Sequence, residues 1–276
     1  MPLPTHAQPQ LRIDDIAFDV DKAVPLARPL RFSEGGEQAF GLPRASAAPV
    51  VLGDFVGDTR QGASVNCATV TLHPHGDGTH TETAAHVEHG APLLCDLQPV
   101  VAGVAVVAMV RAERLGDVDE SYSGEHEDND AVLTLSSLQA ALNTVSKLPS
   151  CVALVVGRVE TDAANAYFTD EAMAAIADSR IQHVLCEEQS VDRLDDGGGL
   201  VNHRRYFRLA PRGEPQGGLD DKQRTVTEMV APLHNVVDNG VYVMWLQLAL
   251  PRWETDAAPS TPVLFPAIPA EVTTDD

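Results

Sequence analysis

Apolar residues in this chain fall into short runs separated by turn-forming and charged segments. The longest, Val100–Val110, is almost wholly apolar and rich in β-branched residues. That pattern predicts a central strand buried on both faces, with a short buried helix as the alternative. Cys151–Val156 and Ile181–Leu185 read as further buried strands, and Thr225–Val230 and Val241–Leu250 as two more. Val65–His73 alternates, with Ala68, Val70 and Leu72 on one face, and predicts a strand that Pro74 ends. Helices are predicted from Thr134 to about Lys147 and onward from Thr169, because each threonine can cap the segment that follows it. Leu135, Leu138, Leu142 and Val145 supply the apolar stripe of the first; Met173, Ile176 and Ala177 supply that of the second. A short helix near Leu200 would carry His203. The alternation of strand and helix from Val100 onward predicts α/β packing.

The remaining segments lack either period. Residues 1–10 read as a loose arm, and Leu11–Val20 as one short strand or helix. The stretch to about Arg60 is irregular, with Pro25, Pro29, Pro43 and Pro49. Residues 112–130 are acidic and read as a solvated excursion. Residues 210–223 read as a loop, and Asp238-Asn239-Gly240 as a turn between two strands. The tail from Pro251 holds five prolines and is expected to lie extended on the surface or against another subunit. No Gly/Ser linker divides the apolar segments, so residues 11–276 are expected to form a single domain after the arm.

Charge narrows the partners. Forty acids against 19 bases give a formal charge of -21. Such a chain repels nucleic-acid phosphates and anionic membrane surfaces. An acidic pocket suits a divalent cation instead. Cys67, Cys95, Cys151 and Cys186 form no close pair and sit in or beside apolar runs, so buried free thiols are expected. There is no basic start followed by an apolar stretch, and no run approaches eighteen apolar residues. A soluble cytoplasmic protein is the expectation.

One stretch is far denser in metal-binding side chains than the rest: His75-Gly76-Asp77-Gly78-Thr79-His80-Thr81-Glu82-Thr83-Ala84-Ala85-His86. Imidazole nitrogens and carboxylate oxygens suit zinc, manganese or iron. His80 and Glu82 are two apart, so on an extended segment they face one side and one metal can take both. His75 precedes them, and His86 can point inward if the loop curls. Asp77 competes with His75 and Glu82 for a ligand role, or caps its own turn. His203 and Glu228 are distant candidates to complete one or two metal sites. Phe32, Phe40, Phe55 and Tyr206 are candidates to line an apolar ring pocket; anchoring loops to the core is the plainer role for such residues.

These residues resemble the metal-dependent cyclase and arylformamidase family, which includes kynurenine formamidases and isatin hydrolases. The family pattern is His-x-Gly-Thr-His-x-Asp-x-Pro-x-His. Gly78-Thr79-His80 matches its centre and His86 its last histidine. Ser190-Val191-Asp192, His203 and Glu228 look like the later Ser-x-Asp, distal histidine and distal glutamate of the family. The chain departs from the pattern in the five-residue step from His75 to His80, in Glu82 for aspartate, and in Ala84 for proline. The resemblance implies a single cyclase-like α/β domain, with mixed β-sheets or a barrel-like β core flanked by helices in the swivelling β/β/α manner. It implies that His75, His80, Glu82, His203 and Glu228 hold one or two divalent ions, with zinc first and manganese second. It implies that His86 stands beside them as the acid/base residue, and that the protein forms a homodimer or larger homo-oligomer.

The activity so implied is hydrolysis of a non-peptide C–N bond in a small substrate, such as an aryl formamide or cyclic amide, through metal-activated water. The alternatives are a metal-dependent cyclase, dehydratase or lactonase, and a non-catalytic metal- or ligand-binding protein. A serine hydrolase is disfavoured because no Gly-x-Ser-x-Gly elbow is present. Gly197-Gly198-Gly199 lacks the dinucleotide-binding spacing.

Overall fold

A computed structural model describes residues 11–13, 16–144, 150–160, 165–214, 222–235 and 241–268. The expected arm over 1–10 and the turn over 238–240 lie outside the described residues, as does part of the 210–223 loop.

An eleven-stranded mixed sheet dominates. Its strands are β1 (Leu11–Ile13), β2 (Ile16–Phe18), β3 (Val24–Pro25), β4 (His80–Glu82), β5 (Val100–Val110), β6 (Ala153–Arg158), β7 (His183–Cys186), β8 (Thr225–Glu228), β9 (Val241–Ala249), β10 (Ala257–Pro259) and β11 (Val263–Ile268). They lie in the order β1-β2-β11-β9-β5-β6-β7-β8-β4-β10, with β3 paired to β11. Strands β5 to β8 are mutually parallel; β9 on one flank and β4 on the other run antiparallel to them.

β5 shows why the apolar run is continuous. Successive side chains of a strand point to opposite faces. Val106, Ala108 and Val110 therefore enter one core, with Leu154, Val156, Val184 and Phe168. Ala105, Val107 and Met109 enter the other, with Val155, Leu185, Leu246 and Leu264. From Gly103 to Val110 both faces are covered, so no position there can be polar without desolvation.

Helices α1 (Leu135–Leu142) and α2 (Asp170–Asp178) close the first core, and α3 (Val201–Tyr206) follows them. Thr134 Oγ1 accepts from Ser137 N at 3.0 Å and Thr169 Oγ1 from Ala172 N at 3.2 Å, so both threonines cap their helices. α1 spans Leu135–Leu142 with Asn143 at its C-cap; Val145 and the predicted end near Lys147 lie outside the described residues. The acidic segment before it is more than a solvated excursion. Glu120 accepts from the Leu135 and Ser136 amides at 2.7 and 2.9 Å and from Thr169 Oγ1 at 2.6 Å. Its charge thus sits at the positive end of α1 and is tied to the cap of α2.

Three further expectations change. Leu11–Val20 forms a pair of strands, β1 against β2. Val65–His73 contributes only Ala68–Thr71 as strand, which pairs with Ser46–Pro49 in an exposed ribbon. Its small and threonine side chains give it no face worth burying. The proline-rich tail enters the main sheet as β10 and β11. Pro259 is tolerated because β10 is the outermost strand on that side. None of the four cysteines forms a disulfide, as expected, but Cys67 is exposed and only Cys186 is fully buried. Among the described residues, no helix is long and apolar enough to cross a membrane.

Thr169→Ala is expected to destabilise the fold by about 1–2 kcal/mol through loss of the cap. The midpoint of urea unfolding measures it; an unchanged midpoint would show that the threonine cap adds nothing to the stability of α2.

Candidate metal centre

The histidine-rich stretch takes its shape from two residues. Pro74 starts a one-turn helix over Pro74–Asp77, where its fixed φ suits the first helical position. Gly78, at φ +148°, then turns the chain into β4. His75 therefore sits on helix instead of at a strand exit, and this turn takes up the five-residue step to His80. In β4 His80 and Glu82 share a face and are fully buried. The register sets Glu228 opposite His80 on β8. Thr83 Oγ1 accepts from Ala85 N at 3.2 Å and opens the short 3-10 turn that carries His86. His203 arrives from α3.

All six candidate side chains converge. His75 Nδ1 lies 3.1 Å and His203 Nε2 2.6 Å from the two oxygens of Glu82. The Nε2 atoms of His80 and His86 each lie 3.9 Å from Glu82 Oε2. Glu228 lies 3.5 Å from both His80 Nε2 and His203 Nε2. Two rings are held from behind: His80 Nδ1 lies 3.0 Å from Gly78 O, and His203 Nδ1 2.6 Å from Asp192 Oδ2. Asp192 is itself fixed by the Asn202 and His203 amides and by the Tyr122 hydroxyl. Glu228 Oε1 accepts from the Val191 amide at 2.7 Å. Ser190-Val191-Asp192 thus supports the centre through backbone and carboxylate.

The donor atoms are what a cation would need. His80 Nε2, His203 Nε2 and both oxygens of Glu82 are buried without a hydrogen-bond partner. Buried polar atoms normally have one. Their close approaches lack hydrogen-bond geometry, and nitrogen and carboxylate donors fit a divalent ion. Among the described residues three overlapping triads, His75–His80–Glu82, Glu82–His86–His203 and His75–His86–Asp256, each bring ligand atoms within 4.8 Å of one another.

Electrostatics agree in direction. Burial pushes the Glu82 carboxyl up, but electrostatic attraction to the His203 and His86 rings outweighs it and holds its pKa well below the ordinary value. Burial opposes a charged His203, yet Glu82, Asp192 and Glu228 raise its pKa well above the usual range. Burial likewise disfavours charged His75, but Asp256 and Glu82 raise it to about 10. Without an ion His75 and His203 therefore favour the protonated form, and metal uptake would release those protons.

Asp77 does not face this centre. Its oxygens accept from the His73 amide at 2.6 Å and the Ala45 amide at 3.0 Å, so it ties the turn to the preceding segment. Asp256 was not singled out by sequence. Its Oδ2 lies 3.0 Å from His75 Nε2 and 3.2 Å from His86 Nδ1. Nothing in Trp253-Glu254-Thr255-Asp256 signals this, because the contacts span 181 and 170 residues. A cavity of about 470 Å³ opens over His75, His86, His203 and Glu228. Phe40, Leu42, Leu194 and Leu200 form its apolar wall. Of the four aromatic candidates only Phe40 lines it; Tyr206 is buried in the core against Arg224.

The sequence family described as "putative cyclase" matches residues 15–193. The chain belongs to that family. The match ends before His203 and Glu228, so their place beside this cyclase-family motif rests on the geometry. A predicted metal-dependent hydrolase from Bacillus stearothermophilus has a similar structure, with 16% identity, a TM-score of 0.53, and coverage of 88% of this chain and 98% of that one. An isatin hydrolase bound to the product analogue thioisatinate is 13% identical with a TM-score of 0.58, over 90% of this chain and 93% of that one. Isatin hydrolase A from Labrenzia aggregata, bound to benzyl benzoate, is 13% identical with a TM-score of 0.56, over 88% and 93% respectively. At such identities these structures show a shared fold. No curated protein sequence matches the chain.

Asp77→Ala is expected to lower stability by about 1–3 kcal/mol, by unpairing backbone donors. Divalent-metal content, read by elemental analysis, should stay at the wild-type level. Loss of metal from the folded variant would instead place Asp77 among the ligands.

Proposed function

We propose that this cyclase-family protein is a metal-dependent hydrolase of a non-peptide C–N bond in a small substrate, such as an aryl formamide or a cyclic amide. The observation that carries the reading is the set of buried, unpartnered donor atoms on His80, Glu82 and His203, lying beneath a cavity large enough for such a molecule. His75, His80, Glu82, His203 and Glu228 would hold the ion or ions. Zinc is the first choice for this donor set and manganese the second. Such an ion supplies Lewis acidity toward a carbonyl oxygen and makes water more acidic.

The chain's own residues supply the rest. His86 reaches the cavity, with Nε2 directed toward Glu82. It accepts the proton that water gives up on attacking the amide carbon, and returns it to the leaving nitrogen as the C–N bond breaks. Phe40, Leu42, Leu194 and Leu200 exclude water from one wall and suit an apolar ring. That solved relatives include isatin hydrolases favours a cyclic amide. The family's description as cyclases keeps a second reading in view, in which the same centre closes or dehydrates a carbonyl compound or opens a lactone.

His86→Ala is expected to retain wild-type metal content and to lose turnover by about 100-fold or more, the range for a missing acid/base. His203→Ala and Glu228→Ala should each weaken metal binding. Elemental analysis beside a screen of N-formylkynurenine, isatin and simple lactones measures both. Stoichiometric metal lost from His86→Ala would make His86 a ligand, and unchanged metal and activity in His203→Ala and Glu228→Ala would remove both from the centre.

A cytoplasmic homodimer is the assembly we favour, acting on a small molecule and not on nucleic acid, which a charge of -21 disfavours. A separate hairpin, Val51–Leu52 paired with Phe55–Val56, supports self-association: Val51 and Leu52 are 64% and 69% exposed, and Phe55, Val65 and Val70 are also exposed. Such a concentration of apolar surface is typical of a protein–protein contact. Replacing Val51 and Leu52 together with aspartate is expected to yield monomers in sedimentation, where the wild type runs as a dimer or larger. A monomeric wild type would refute the assembly.

A further inference from the structure

The outer edge of the centre holds one more carboxylate. Asp256 precedes β10, whose Ala257 pairs with Glu82 of β4. Its carbonyl accepts from the Thr83 amide at 3.0 Å, which fixes its backbone beside the centre. A single oxygen, Oδ2, meets His75 Nε2 at 3.0 Å and His86 Nδ1 at 3.2 Å, both with hydrogen-bond geometry.

That satisfied geometry separates Asp256 from the ion-facing atoms. His80 Nε2, His203 Nε2 and the Glu82 oxygens are close together yet unpartnered. Each of those two rings is gripped from behind, by Gly78 O and by Asp192. His75 repeats the arrangement. Its Nδ1 faces Glu82 and its Nε2 faces Asp256, and the two nitrogens of one ring cannot point at the same ion. Metal-ligating histidines commonly give their second N–H to such a partner, which sets tautomer and orientation.

We propose that Asp256 is a positioning residue that sets two rings through one oxygen. It accepts Nε2–H from His75, leaving Nδ1 for the metal, and Nδ1–H from His86, leaving a bare Nε2 toward the cavity floor. The ligand and the proton-transfer residue are therefore held in register by a shared acceptor. This rests on the metal centre and on the role of His86 proposed above. It adds which nitrogen each ring presents.

The experiment needs no substrate. The full-length protein, loaded with zinc and labelled with ¹⁵N-histidine, is read by long-range ¹H–¹⁵N correlation. His86 is expected as the Nδ1–H tautomer, and His75 as Nε2–H with zinc on Nδ1. Asp256→Leu removes the acceptor and should weaken zinc binding by roughly 10–100-fold, with the His86 Nδ1–H signal lost. Asp256→Asn keeps an acceptor oxygen and should restore most of both. An Nε2–H tautomer at His86 in the zinc-loaded wild type would overturn the proposal even if neither variant folds. So would loss of a whole zinc equivalent from both variants, which would make Asp256 a ligand. Failure of the wild type to bind zinc or manganese would overturn the metal centre and this proposal together, whereas bound metal with the wrong tautomer overturns this one alone.

Discussion

Glu82 is the residue on which the arrangement turns. A carboxylate fully buried in a strand, without a hydrogen-bond donor, is costly by several kcal/mol unless positive charge surrounds it. Here four imidazoles approach it, from a one-turn helix, from its own strand, from the 3-10 turn that follows and from α3. Each of those elements must be in place before the charge is tolerable. The site is thus a condition of the local fold as well as its product.

The sheet provides the rigidity. Parallel strands β5 to β8 are covered on both faces, and the cavity opens beyond the carboxyl ends of β7 and β8, where Ser190, Asp192 and Glu228 lie. Open α/β sheets place ligands there as a rule. Two further strands extend the sheet at that side, β4 antiparallel to β8 and β10 antiparallel to β4. β4 delivers His80 and Glu82 in a fixed register with Glu228, and β10 delivers Asp256. Much of the surrounding acidity is structural. Glu120 caps a helix, Asp77 ties a turn, and Asp192 holds an imidazole, so the overall charge of -21 overstates what a substrate would meet.

Elements with a strong period were legible in advance. Val100–Val110 forms the strand its run predicts, and Thr134 and Thr169 cap the helices they precede. The weak pattern of Val65–His73 gave a short exposed ribbon instead, because alternation among small and hydroxyl side chains carries little burial energy. The tail misled for a different reason. Proline density argues against strands, but β10 is outermost and needs fewer amides, while β11 pairs on both sides despite Pro266, so neighbours decide whether such a segment pairs.

The sequence by itself determined the kind of chemistry. Closely spaced histidines and carboxylates announce a cation site, and local spacing puts His80 and Glu82 on one face. It also carried the family resemblance that singled out His203 and Glu228. Only the tertiary structure decided which atoms meet. Whether Asp77 faces the centre or a backbone amide depends on a one-turn helix. Whether Asp256 matters depends on a strand pairing that brings together residues 181 and 170 positions apart. Ligand orientation is set by such long-range contacts, whose partners leave no periodic trace along the chain.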